Sequence, residues 1–173
     1  MRGWIGSAVM VVLAATGCGS GGGSTAGDLG PQPDVGPGQV PVGGSRLFGW
    51  LKAGGYKAFA PESAVHLSIG PHGSVRVYLN PTLEGSLKAS RETHPVNSAA
   101  VKEIYESDKT TLKGWAVSVK FQADSADGNG WYWYEVLSVT DGQSPVADGR
   151  GLSGCANCHG SGKDYLITRY PLQ

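Results

Sequence analysis

The pentapeptide Cys155-Ala156-Asn157-Cys158-His159, close to the C-terminus, constrains this chain more than any other feature. Two thiols at this spacing can each add across one vinyl group of a haem, and the adjacent imidazole can then reach the iron from the proximal side. The C-x-x-C-H pattern is therefore typical of covalent c-type haem attachment. It predicts haem c as the cofactor, held by Cys155 and Cys158, with His159 as an axial ligand of the iron.

Two other uses of a C-x-x-C pair fit this sequence less well. A structural zinc site needs four nitrogen or sulfur ligands, usually from a second spaced pair, and the sequence has no such pair. A thioredoxin-like redox pair belongs to a βαβ unit and does not require the following histidine. Haem attachment is the interpretation that uses both cysteines and the histidine.

The first residues of the chain predict export. Arg2 supplies a positive charge and residues 5–15 are mostly apolar, so residues 1–17 resemble a signal peptide that is too short to span a membrane. Residues 15–18 resemble a bacterial lipobox, which predicts that Cys18 is lipidated and becomes the mature N-terminus. An ordinary exported protein cleaved nearby is the alternative. With Cys18 lipidated, no cysteine pair is left for a disulfide.

Composition divides the remainder of the chain into a tether and one domain. Residues 18–45 are rich in Gly, Ser and Pro, which predicts a lipidated N-terminus followed by a flexible tether. Residues 46–173 have the length of a single domain. Fourteen basic and fourteen acidic residues balance, so no nucleic-acid partner is predicted. We expect an exported protein of the bacterial cell envelope, lipid-anchored to a membrane and facing the periplasm or the cell exterior.

The spacing of apolar residues predicts two helices and five strands. The first predicted helix lies within the segment 45–59, with Ser45 as the N-cap and Gly54-Gly55 at its end, and the second covers residues 81–90. The predicted strands cover residues 65–69, 75–79, 99–105, 115–121 and 131–139. The turn at residues 70–73 makes a hairpin of the first two strands. This order favours an α+β fold, an antiparallel β-sheet with flanking short helices.

Large aromatic side chains are expected chiefly in the core of such a fold. We expect at least one of them to contribute to the haem pocket as well. The core candidates are Trp115, Phe121, Trp131 and Trp133, and Phe59 and Tyr78 are further candidates for the pocket.

Four stretches of this sequence, in order, resemble the cytochrome P-460 and cytochrome c′-β family. They are residues 75–80 (VRVYLN), 101–103 (VKE), 130–133 (GWYW), and the haem motif with Asp164 and residues 170–172 (YPL). The resemblance implies an antiparallel sheet with flanking helices, a covalent c-type haem packed on the sheet, and a homodimer. It also implies one histidine ligand and an open distal side that receives small nitrogen species.

Two residue-level expectations follow from this resemblance. Lys102 lies where members of the P-460 branch bond a lysine to the haem, so it is a candidate for such a cross-link. On a strand, Lys102 would share a face with Ala100 and Ile104, and Glu103 would point the other way. A lysine that extends to solvent from a sheet edge is the alternative. The catalytic branch also has a proton-moving carboxylate, but residues 115–119, where we would expect it, contain no acid.

Three functions remain open from the sequence. The first is oxidation of hydroxylamine or a related small nitrogen compound, the second is binding of nitric oxide without turnover, and the third is electron transfer with an unidentified redox partner. Both methionines, Met1 and Met10, precede the predicted mature N-terminus, so no methionine is available as a sixth iron ligand. His66, His72 and His94 remain. We expect His72 to be solvated in its turn, and an electron-transfer protein to use His66 or His94.

Overall fold

The structure, a computed structural model, describes residues 36–173. The predicted signal peptide, the lipidation site Cys18 and most of the predicted tether lie outside the described residues. The helices are α1 (Gly44–Lys52), α2 (Pro81–Lys88) and α3 (Ser153–His159), with a short 3-10 helix at Ala126–Gly128. The strands are β1 (Ala60–Pro61), β2 (His66–Leu67), β3 (Ser74–Leu79), β4 (Ala99–Tyr105), β5 (Leu112–Lys120), β6 (Trp131–Val136) and β7 (Ala147–Arg150).

All seven strands form one antiparallel sheet in the order β1-β3-β4-β5-β6-β7, and β2 also pairs with β3. With its three short α-helices this is the predicted α+β fold. None of the helices within residues 36–173 has the length and hydropathy needed to cross a bilayer.

Most predicted elements are confirmed, with differences at their ends. Strand 99–105 and the turn between β2 and β3 lie where predicted, and the second helix begins after Asn80, whose side chain accepts a hydrogen bond from the Leu83 N–H. Strands β1 and β7 and helix α3 were not predicted, because β1 and β7 are too short to show an alternating pattern.

The start of helix α1 differs from its prediction. Ser45 is inside the helix, and the N-cap position is Gly43, which has no side chain to cap with. The Asp148 carboxylate in β7 accepts a hydrogen bond from the Gly44 N–H at 3.0 Å instead. Val40 and Val42 are buried in the core, so the packed part of the chain extends N-terminally beyond the predicted boundary at residue 46. A contact between segments more than 100 residues apart cannot be foreseen from local sequence.

The sheet has two covered faces. The face covered by α1, which we call the α1 face, carries the larger core. It is built from aromatic and β-branched side chains of the central strands, packed against Leu47 and Leu51 of the helix. Its strand residues include Tyr78, Ala99, Val101, Trp115, Val117, Val119, Tyr132, Tyr134 and Val136.

The opposite face, which we call the α3 face, has a smaller core. There Val77, Leu79 and Ala100 pack with Leu83 of α2 and Leu166 of the C-terminal segment. Helix α3, which carries the C-x-x-C-H motif, lies against the rest of this face. The alternation of β4 decides which side chains reach each face, because neighbouring residues of a strand point to opposite sides.

Candidate cofactor site

Helix α3 places both thiols of the motif on the same side. Cys155 and Cys158 are free cysteines three residues apart on one helix, and both line the space between α3 and the sheet. Cys155 is half-buried and Cys158 is exposed. The helix is docked through Ala156, whose methyl group would lie only 2.5 Å from a Cβ at Gly128. Gly128 therefore permits the close approach of α3 to the 3-10 helix at Ala126–Gly128.

His159 ends this helix with one ring nitrogen already engaged. Its Nδ1 donates a hydrogen bond to the Tyr165 carbonyl oxygen at 3.0 Å, so the proton is on Nδ1 and Nε2 keeps its lone pair. Burial, together with the nearby Lys102 ammonium, lowers the pKa of His159 to about 4. A neutral imidazole with Nδ1 fixed by a backbone carbonyl is the form that binds a metal through Nε2.

Two adjoining cavities, which we call together the His159 cleft, lie beside this imidazole. Each has a volume of about 210 Å³. The β3-side cavity is bounded by Glu62, His66 and Val77, and the β6-side cavity by Ala116 and Trp133. The two cavities share six lining residues: Pro71, His72, Lys102, Cys158, His159 and Thr168.

Small side chains form the floor of the β6-side cavity. Ala116 and Ala147 lie in one cross-strand row with Lys102 and Glu135, and Ala100 and Ser118 lie in the next row with Trp133. These small residues, flanked by a lysine and an indole, line the same cavity as the two thiols. Such a floor can take a planar group lying on the sheet.

Lys102 extends from β4 into both cavities. As predicted, it is on the face of Ala100, while Glu103 is buried on the α1 face. Among the described residues Lys102 has no hydrogen-bond or ion-pair partner, and burial lowers its pKa despite the carboxylates of Glu135 and Glu62. The lowered pKa increases the fraction of neutral amine, the form that can act as a nucleophile. The alternative of a solvated lysine at a sheet edge is wrong, because β4 is an interior strand.

His72 and Glu135 form a hydrogen-bonded pair in the same cleft. The Nδ1 atom of His72 lies 3.0 Å from the Glu135 carboxylate, and the His72 ring centroid lies 6.5 Å from that of His159. The prediction that His72 is solvated is wrong, because only 15% of its side chain is exposed. The turn at residues 70–73 folds over the sheet, and this contact with a strand more than 60 residues away is not visible in sequence.

The other two candidate sixth ligands are less suitable. His66 has both ring nitrogens close to acceptors, Nδ1 to the Leu67 carbonyl and Nε2 to Glu62, each at 2.9 Å. His94 is buried beside Trp131, with Nδ1 bonded to Ser86, and it lines neither cavity of the cleft. Neither histidine presents a free nitrogen to the space beside His159.

Of the aromatic residues predicted for the core or the pocket, only Trp133 lines the cleft. Its ring centroid is 4.5 Å from that of His159, and its buried indole N–H has no hydrogen-bond partner within residues 36–173. Trp115 and Trp131 are buried in the core as predicted. Phe59 and Tyr78 belong to the α1 face, so their assignment to the pocket is wrong. Phe121 is only partly buried against that same core.

The acid that residues 115–119 lack is supplied by the neighbouring strand. Glu135 of β6 lies directly opposite Ala116 of β5, and it lines the cleft. The alternation of Trp131, Trp133 and Glu135 in the sequence was the signal that could have found it, since the three share one face. Glu62, which accepts a hydrogen bond from the Val77 N–H at 2.7 Å, is a second carboxylate at this cleft and is buried.

The residues at the cleft fit a covalently bound haem by several independent features. They are two free thiols one helical turn apart, an imidazole with only Nε2 free, a cavity floor of small residues, and an unpartnered indole N–H that can donate to a bound polar group. Within the part of the chain that the structure describes, no group of three or more His, Cys, Asp or Glu side chains is arranged to bind a metal ion directly.

Comparison with known proteins adds no family assignment. No protein-family model matches the chain, and no curated protein matches it significantly.

Proposed function

We propose that this protein is a mono-haem c-type cytochrome whose haem c is attached to Cys155 and Cys158, with His159 as the axial ligand. The observation that carries the proposal is the His159 imidazole, which donates through Nδ1 to the Tyr165 carbonyl and has Nε2 free beside both thiols. When bound there, the haem iron supplies redox chemistry and a coordination position for small ligands.

We propose further that the position opposite His159 is open and receives small nitrogen species. Nitric oxide would be bound there, or hydroxylamine oxidised. Two residues of this chain favour oxidation over simple binding, since Glu135 and His72 form a pair that can accept and pass on protons released by a substrate. The unpaired amine of Lys102 in the same cleft can donate a hydrogen bond to a bound oxygen or nitrogen atom.

A six-coordinate electron-transfer cytochrome is the second candidate function. It is favoured by one observation, the position of His72 next to His159 with its Nδ1 held by Glu135. A histidine whose Nδ1 is bonded to a carboxylate has its Nε2 directed and made more basic for a metal. The sixth ligand in this case would be His72, and not His66 or His94 as the sequence predicted.

The other parts of the proposal concern location and assembly. An exported, lipid-anchored protein of the cell envelope follows from residues 1–18, and a homodimer and a redox partner follow from the family resemblance. These proposals rest on the sequence.

The test is a visible spectrum of the protein produced with a haem maturation system. An open site gives a high-spin ferric spectrum and rapid binding of nitric oxide or carbon monoxide to the ferrous form. A low-spin spectrum in both oxidation states that becomes high-spin in His72→Ala, but not in the matched control His66→Ala, would establish the second candidate. A protein without haem staining on a denaturing gel would rule out both.

A further inference from the structure

The segment that follows the haem motif makes an unusual turn. The Leu166 N–H donates to the Lys163 carbonyl at 2.9 Å, and the two residues between them, Asp164 and Tyr165, have φ values of 48° and 66°. Two successive positive φ angles are the pattern of a type I′ turn, which normally contains Asn and Gly. Neither residue here is glycine, so the backbone conformation is unfavourable and needs support from other contacts.

That support comes from the Asp164 carboxylate. It accepts hydrogen bonds from Lys120 at 2.7 and 2.8 Å, from the His94 N–H at 2.6 Å, and from the Ser125 hydroxyl. Lys120 is fully buried, and only 6% of the Asp164 side chain is exposed. Burial alone would raise the pKa of Asp164, but the bonds from Lys120 and Ser125 lower it below its usual value. The turn is thus tied to β5 by a buried ionic contact.

The consequence for the site lies one residue further along. Tyr165 follows Asp164 in the turn, and its carbonyl oxygen is the acceptor for Nδ1 of His159. The direction of that carbonyl depends on the φ and ψ angles of the turn, and these are maintained by the carboxylate. We infer that Asp164 is a positioning residue for the axial histidine, acting through the Tyr165 carbonyl. This inference rests on the proposed haem ligation by His159.

The expected effect is on the electronic properties of the histidine. A hydrogen bond from Nδ1 to a carbonyl increases the basicity of Nε2, strengthens the bond to iron and favours the ferric state. Without the Asp164 carboxylate, the Tyr165 carbonyl turns away from His159, and the hydrogen bond that it accepts from Nδ1 weakens. The iron–histidine stretching frequency then falls and the reduction potential rises.

The experiment compares haem-loaded wild type with Asp164→Asn and Asp164→Ala by resonance Raman spectroscopy and potentiometry. Asparagine tolerates positive φ and keeps an acceptor for the His94 N–H, so its shifts are smaller than those of alanine. Lys120→Met removes the partner cation and shifts both quantities in the same direction.

Asp148→Asn is the matched control. Asp148 is also a carboxylate bound by a tyrosine hydroxyl and a backbone N–H, at 2.5 and 3.0 Å, but it serves the α1 face. The Asp148→Asn substitution can lower stability without affecting His159. The iron–histidine stretching frequency and the reduction potential of this variant therefore stay at wild-type values.

Each outcome has a distinct meaning. Unchanged frequency and potential in a haem-loaded Asp164→Ala would overturn the inference, and so would equal shifts in Asp148→Asn. If Asp164→Ala does not accumulate, Asp164→Asn and Lys120→Met decide the matter by the same two readouts. Wild type that takes up no haem refutes the proposed function itself, which is a different result from an unchanged variant.

Discussion

At the residue scale, neighbours on strand β4 have opposite roles. Lys102 has no hydrogen-bond partner among the described residues, and it lines the His159 cleft. Glu103 is buried on the other face, where it accepts hydrogen bonds from Tyr56, Tyr78, Tyr105 and Lys57. The Lys102 amine is thus available to bind a ligand, whereas the Glu103 carboxylate is fully hydrogen-bonded within the protein.

The availability of Lys102 leads to a prediction about covalent chemistry. A cross-link to haem would replace one N–H and one macrocycle C–H by a C–N bond, with two protons and two electrons passing to an oxidant such as hydrogen peroxide, which is reduced to water. If it forms, a tryptic haem peptide contains Lys102 as well as residues 155–159, and the Soret band is strongly red-shifted. Lys102→Ala then gives an ordinary c-type spectrum.

A matched control for this substitution is Lys88→Ala, since Lys88 is a solvent-exposed lysine outside the cleft, paired with Glu84. It should leave the spectrum unchanged. A wild-type haem peptide that holds only residues 155–159 would show that Lys102 is not bonded to the haem, which is the result expected of a gas-binding protein.

The Glu103 network predicts a loss of stability on removal of a single hydroxyl. Tyr56 donates to Glu103 at 2.5 Å and accepts from the Trp115 indole at 3.0 Å. Because hydrogen bonds to a charged group contribute about 1.5–3 kcal/mol, Tyr56→Phe should lower the free energy of unfolding by a similar amount in urea titrations. Tyr134→Phe is the control, since its hydroxyl has no hydrogen-bond partner among the described residues, and a comparable loss there would contradict the assignment.

The same network predicts a dependence on pH. Burial alone raises the pKa of Glu103, but hydrogen bonds from Lys57, Tyr105 and Tyr56 outweigh it and hold the pKa below its usual value of 4.5. A depressed folded-state pKa stabilises the protein above the unfolded-state value, and this contribution is lost as the pH falls through the folded-state pKa. The stability difference between wild type and Glu103→Gln should therefore be constant near neutrality and shrink below about pH 4. A stability difference between the two proteins that stays constant as the pH falls would show that Glu103 is not ionised in the folded state.

At the scale of elements, the docking of helix α3 depends on one glycine. A Cβ at Gly128 would lie 2.5 Å from the Ala156 Cβ, and the φ of Gly128 is 91°, which disfavours any other residue. Gly128→Ala should destabilise the fold by about 1–3 kcal/mol and reduce haem incorporation, because α3 must move away from the 3-10 helix that contains Gly128. Denaturant unfolding and haem staining measure the two effects.

Helix α2 offers the opposite case as a control. Gly85 is exposed within the helix, and a Cβ there would have no atom within 4 Å. Gly85→Ala should stabilise the protein by about 0.5–1 kcal/mol through better helix propensity. If both substitutions destabilise the protein, the stability lost in Gly128→Ala cannot be attributed to the contact between Gly128 and Ala156 of α3.

The elements also show where periodicity is informative. Strand β4 and the β5 stripe of Trp115, Val117 and Val119 were predicted because side chains of a strand alternate between two faces, which gives large apolar residues on one face a period of two. Helix α3 was not predicted, since its seven residues include two cysteines, a glycine and a serine and give no apolar helical repeat, and only Ala156 is buried. Local sequence preference is weak in such a segment, and tertiary contacts decide its conformation.

At the scale of the whole molecule, the prediction concerns the N-terminus. Residues 15–18 predict that Cys18 carries the lipid, and a doubly acylated cysteine anchors a protein stably where a single chain does not. Mass spectrometry of the mature protein should find acylated Cys18 at its N-terminus. Cys18→Ser should release the protein from membranes and leave its visible spectrum unchanged. An unmodified N-terminus at another residue would exclude the anchor.

The sequence alone determined the α+β class and most of the strands, and it is the basis for the chemistry proposed for residues 155–159. These properties depend on short-range patterns: a period of two along strands, and three reactive side chains within five residues. Only the tertiary structure decided what surrounds His159, because Lys102, His72, Glu135 and the Tyr165 carbonyl come from four segments brought together by strand pairing and turns. Strand alternation could place Lys102 and Glu103 on opposite faces, but which face receives α3 depends on contacts between residues far apart in the chain.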